Sequence, residues 1–166
     1  MLILLHEKIN SIVPIQGISD NGDGTYRVDY LAEPTAEQLV LVNQAIADYP
    51  LIVIKQEKLK QIDAEWVTLE QAGWDSGQGF NLGITPSDVA LLVGVYTLAK
   101  EASVLGLPIP AIIAIDNSSI QFATFAEMTT LMLRYGAARS EMSSSFAQKR
   151  KAVEAATTIE EVNAIS

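Results

Sequence analysis

The sequence contains no cysteine and one histidine, His6. A disulfide framework, a thiolate metal site and thiol catalysis are excluded together, and a thiol-free chain suits folding in a reducing cytosol. One histidine cannot build a histidine metal cluster. Any Ser-His-Asp arrangement would have to use His6, yet no Gly-x-Ser-x-Gly elbow accompanies it. Cations are scarce as well. Lys plus Arg number 11 against 20 Asp plus Glu, a formal net charge of −9, so the overall field repels phosphate backbones and anionic headgroups. Nucleic acid and membrane are not expected partners. The apolar opening, Met1 to Leu5, is interrupted by His6, Glu7 and Lys8 before a signal-peptide core develops. A spanning helix needs about 20 mostly apolar residues. The greasiest stretch, Val89 to Ile115, is broken by Lys100, Glu101, Gly106, Pro108 and Pro110 and reads as a buried helix and loop. Internal repeats, heptad runs and low-complexity tails are absent too.

What is there is apolar mass: 49% of the 166 residues are hydrophobic, with mean hydropathy +0.22. That length forms one ordinary domain or two small ones. The apolar content exceeds what a small fold easily hides, so oligomerisation or a permanent partner is the natural outlet.

Periodicity divides the chain. Leu2, Leu5, Ile9 and Ile12 recur at helical spacing and predict a short amphipathic helix ended by Pro14. Ile15 to Ser19 and Thr25 to Leu31 flank Asp20-Asn21-Gly22-Asp23-Gly24 and predict a hairpin, with Tyr26, Val28 and Tyr30 on its buried face. Thr35-Ala36-Glu37-Gln38 is a capping box opening a helix to about Asp48; Pro50 punctuates, and a second helix is expected over Gln56 to Ala72, closed by Gly73. The module boundary is therefore expected at Tyr49 to Leu51. Trp74 to Gly83 reads as a loop into a short strand, Phe80 to Ile84. Thr85-Pro86-Ser87-Asp88 starts a helix that stops at Gly106. A second hairpin is expected around Asp116-Asn117-Ser118-Ser119. Thr124-Phe125-Ala126-Glu127 opens the longest helix, to about Ala156, and Thr157 to Glu161 repeats the capping logic for a last turn.

The candidates for chemistry are few. Asp20-x-x-Asp23 faintly suggests a calcium loop, but the twelfth position, where an EF-hand carries Glu, is Leu31. Trp74-Asp75-Ser76-Gly77-Gln78-Gly79 precedes a strand and lacks the Lys-Ser/Thr of a phosphate loop. Carboxylate pairs such as Glu65 with Glu70, or Glu160 with Glu161, could in principle straddle a glycosidic bond, although acidic residues at helix starts usually serve the dipole. Gln148-Lys149-Arg150-Lys151 wraps a helix as a solvated face, with Glu154 a possible partner for it. Aromatics such as Trp66, Trp74, Tyr96 and Tyr135 read as core, with one or two free to anchor an interface.

The stretch from Lys58 to Ile165, with Ala64-Glu65-Trp66, the Gly-rich loop before Phe80 to Thr85, and the ending Ala155-Ala156-Thr157-Thr158-Ile159-Glu160-Glu161-Val162, resembles a helical-hairpin domain of unknown function common in phage proteins encoded beside tail-fibre genes. Gly22-Asp23-Gly24-Thr25-Tyr26-Arg27-Val28-Asp29-Tyr30 with Pro34 to Leu39 is similar to the opening module of tail-fibre-associated and fibre-assembly proteins. The resemblance carries over no catalytic, cofactor-binding or metal residue.

The expected fold is α+β and mainly helical: a small front module over residues 1–50, then a helical domain with short strands over 51–166. The expected function is a non-enzymatic phage tail-associated structural or assembly protein. It needs no cofactor and works in the host cytoplasm during assembly or stays in the virion tail. Its partner is a tail-fibre or baseplate protein, in a homo- or hetero-oligomer. An intracellular adaptor is the alternative, ahead of a small carboxylate hydrolase. Phe125, Met128, Leu131, Met132 and Tyr135 are expected to serve both their own module and a neighbour.

Overall fold

A computed structural model describes residues 2–166. Helix accounts for 61% of them, beside three separate two-stranded antiparallel sheets, so the fold is mainly helical α+β. The elements are α1 (Ile3–Asn10), β1 (Ile15–Asp20), β2 (Tyr26–Tyr30), α2 (Ala36–Ala72), β3 (Trp74–Asp75), β4 (Asn81–Leu82), α3 (Pro86–Val104), β5 (Ile112–Ile113), β6 (Ser119–Ile120), α4 (Phe125–Ala155) and α5 (Ile159–Asn163).

One expectation fails in the middle of α2. Pro50 does not end a helix: Ala36–Ala72 is continuous, with the proline inside it. Proline lacks the N–H that would bond the carbonyl four residues back and normally breaks a helix interior. Here Pro50 is exposed, while Val42, Ala45 and Tyr49 before it are buried and Val53 after it packs against the same core, so the packed stripe runs past the defect. The expected boundary at 49–51 thus lies within one element. The chain instead resolves into two compact units, one running to Leu59 and resuming at Ala152, the other Lys60–Lys151.

In the first unit, Leu5, Ile9, Val13, Ile15, Val42, Ala45 and Tyr49 form the core. β1 pairs with β2 with Ile18 opposite Val28 and Asp20 opposite Tyr26, and a register irregularity lies between Ile15 and Gly17. Tyr26 meets Tyr49 edge-on at 5.7 Å between ring centres. The expected capping box forms: Gln38 N donates to Thr35 Oγ1 (3.2 Å), and Thr35 N donates to Gln38 Oε1 (2.9 Å). The Gln38 amide also donates to the Ile12 carbonyl at 3.1 Å, tying helix start to helix end. Val153, Ala156 and Val162 are buried in the later segment, where Lys55 Nζ donates to the Glu154 carbonyl at 2.8 Å.

In the second unit, Leu82, Ile84, Leu92, Ala99, Ile112, Met128, Leu131 and Tyr135 make the core. Gly73 ends α2 with φ +69, a left-handed conformation that favours glycine. The stretch expected as a loop contains a strand, because Trp74 pairs with Leu82 and Asp75 with Asn81. Ile115 N donates to the Asn81 carbonyl at 3.0 Å, joining this hairpin to the β5–β6 hairpin. The Thr85 cap of α3 forms a full box with Asp88.

Candidate interaction surfaces

Three side chains of α4 hold the β3–β4 segment by its backbone. Arg134 Nη2 donates to the Ser76 carbonyl (3.0 Å), Tyr135 Oη to the Gly83 carbonyl (2.7 Å) and Arg139 Nε to the Ile84 carbonyl (3.2 Å). Trp74 lies edge-on to Tyr135 at 5.6 Å, with the Arg134 guanidinium 5.9 Å from its ring centre. Burial pushes the Tyr135 phenol up, opposed by Arg139 and assisted by Asp88. Beside this junction a cleft of about 310 Å³ is lined by Gln78, Gln121, Phe122, Glu127, Leu131 and Arg134 among others. A second, open groove of about 700 Å³ runs along α2 past Ala64, Thr68, Leu69 and Ala72 to Phe146, whose ring meets Trp66 edge-on at 5.0 Å.

Several of the residues weighed for chemistry have structural partners. Asp20 accepts from Gly22 N (2.8 Å), and Asp23 accepts from Thr25 N (2.9 Å) and its hydroxyl (2.6 Å). Those Thr25 bonds hold the Asp23 carboxyl below its ordinary range. Glu161 Oε2 accepts from Thr157 N and Oγ1 and from Thr158 N, and these bonds, led by Thr157 N, lower its pKa. Glu65 pairs with Lys149 at 3.4 Å, and Arg150 pairs with Asp63. The basic cluster therefore pairs with α2; Glu154, suggested by its place on the same helix, contributes its carbonyl to Lys55 instead. The Ser76 hydroxyl donates to the Phe80 carbonyl (2.7 Å) and accepts from Gln78 N (3.1 Å), closing the Gly-rich turn on itself. His6 lies half-buried on α1. Among the described residues, no group of three or more His, Cys, Asp or Glu side chains could hold a metal ion.

The apolar surplus does not lie where α4 was expected to offer it. Met128, Leu131 and Tyr135 are buried in the core of their own unit, and Phe125 and Met132 pack against it. Exposed apolar side chains occur on several elements, among them Val40 and Leu41 on α2 and Leu133 on α4, and their longest run follows α3, which was expected to be buried. The core side of α3 is marked by Leu92 and Ala99. Away from it, Leu91 is 62% exposed, Val93 53%, Leu98 64%, Val104 76% and Leu105 69%. Composition concealed this face, since apolar residues occur on both sides of α3; the seven-residue spacing of Leu91, Leu98 and Leu105 was the available signal. No helix is long and apolar enough to cross a membrane among the described residues. No family model, curated protein or solved structure matches the chain.

Proposed function

We propose that the chain is a phage tail-associated structural or assembly protein that binds the tail fibre or a neighbouring tail or baseplate component through apolar helix faces. It acts without catalysis or a cofactor, in the host cytoplasm during assembly or as a retained part of the tail. The observation that supports a binding role is the outward apolar face of α3. Exposed apolar patches of this kind mark interaction surfaces more often than chance exposure does. One carboxylate of each pair weighed for hydrolysis supports the same reading, because Glu161 closes a cap and Glu65 pairs with a lysine. The tail-fibre identity of the partner rests on the resemblance of the turn and capping motifs.

Co-expression with phage tail-fibre and baseplate proteins, followed by affinity purification and light scattering, tests the proposal. A defined complex whose mass equals the sum of both partners is expected. Separate elution of the two proteins at all concentrations would sink it.

A further inference from the structure

The outer face of α3 has an internal symmetry. Leu91 and Leu105 each stand seven residues from Leu98, so the three leucines form one stripe along the helix. On the opposite shoulder Val93 and Val104 lie at nearly equal distances from the same centre. Between the shoulders runs a ridge of Ala90, Gly94 and Thr97, all exposed. A pattern that reads alike in both directions from its centre suits an antiparallel copy of itself.

Gly94 supplies a separate argument. It sits inside a 19-residue helix, and a Cβ added there would meet nothing within 4 Å. No contact within the chain requires glycine at a position where glycine weakens the helix. Close approach of a second helix would account for it, since small residues let helix backbones come near one another. The five large apolar side chains together expose on the order of 500 Å², and with the ridge between them they approach the ~800 Å² per partner of a standard interface.

We propose that a second copy of this chain docks on the outer face of α3, antiparallel, about a two-fold axis at Leu98. Leu98 then meets its own counterpart, Leu91 meets Leu105 of the other copy, and Val93 meets Val104. Glu101, the charged residue on the ridge, falls level with the other copy's Gly94, where the missing side chain leaves room for its stem. This inference goes beyond the tail-fibre reading, because it concerns the chain alone.

Light scattering of the full chain should return the dimer mass. Leu98→Glu and Gly94→Ile should each weaken association by at least roughly tenfold, with helical circular dichroism unchanged because both positions face solvent in the single chain. The sequence has no cysteine, so Leu98→Cys can be cross-linked cleanly: a short bismaleimide should give one covalent dimer. Leu133→Cys, on α4 and 70% exposed in the native residue, should give none. A wild-type monomer at ~100 µM, a dimer indifferent to Leu98→Glu, or equal cross-linking at position 133 would overturn the proposal. A monomer that still binds the fibre protein removes this dimer and leaves the tail reading standing; a dimer that ignores the fibre does the reverse.

Discussion

At Tyr135 one hydroxyl answers for one buried carbonyl. The phenol is 3% exposed and donates to the Gly83 carbonyl at 2.7 Å. Tyr135→Phe keeps the ring contact with Trp74 but leaves the carbonyl without that donor, and an unsatisfied buried group costs about 1–3 kcal/mol. Urea unfolding of the variant should show a loss in that range. Gly83 itself is closely hemmed. A Cβ there would overlap the Asp88 carboxylate, which accepts from Thr85 N at 3.0 Å to cap α3, so Gly83→Ala should destabilise the second unit by at least ~1 kcal/mol, the usual worth of a cap. The acid side of stability is written at Glu161. Its folded pKa lies below the ordinary value near 4.5. A depressed carboxylate contributes stability above its unfolded pKa and loses it as pH falls through the folded one. The protection of the α5 amides, taken relative to their intrinsic exchange rates, should therefore fall below the ordinary carboxylate range, and Glu161→Gln should flatten that dependence. Protection that ignores pH there would count against the capping role.

Among the elements, those with paired start and stop signals were legible. Thr35 with Gln38 and Thr158 with Glu161 each combine a hydroxyl acceptor and a side chain reaching back and form as expected, while Thr85 caps α3 as expected and Asp88, expected to serve the dipole, also closes a full box. At Thr124 the box is displaced: Glu127 N donates to the Thr124 hydroxyl, but Glu127 Oε2 accepts from Ala123 N. The hairpin at Asp20 to Gly24 was legible from its glycines. The strand at Trp74–Asp75 was not, because two residues carry no alternation. Pro50 misled for a physical reason, since local backbone chemistry predicted a break while Val42, Ala45 and Tyr49 before it and Val53 after it pack on one core. That conflict is measurable. Pro50 is exposed, so Pro50→Ala disturbs no packing and restores a donor for the Ile46 carbonyl. The variant should gain roughly 1–3 kcal/mol, the interior-proline penalty less the entropy returned to the unfolded chain. A loss of stability would mean that the native helix depends on the proline's geometry. The α3 surface was hidden for another reason: hydropathy reports how apolar a helix is, but not which side has a neighbour.

For the molecule as a whole, the division at Leu59 and Ala152 sorts its probes. Trp66 and Trp74, the two tryptophans of the sequence, both belong to the second unit. The first is seen through its tyrosines and its share of helix. Ending the chain at Lys151 removes the buried Val153, Ala156 and Val162 from the first unit and leaves the second unit's residues intact. Truncation should lower the midpoint of a transition followed by far-ultraviolet circular dichroism by several degrees, in line with a loss of a few kcal/mol. Tryptophan fluorescence should report a smaller change. Equal shifts in both signals would mean that the units do not respond separately.

The split first unit also sets an order of completion along the chain. Residues 60–151 form one uninterrupted stretch, so the second unit draws on no segment outside it. The first unit's opening helix and hairpin are made earlier but must wait for Val153, Ala156 and Val162 before their unit is complete. Until then the chain carries an unfinished apolar surface at its front, open to chaperone binding.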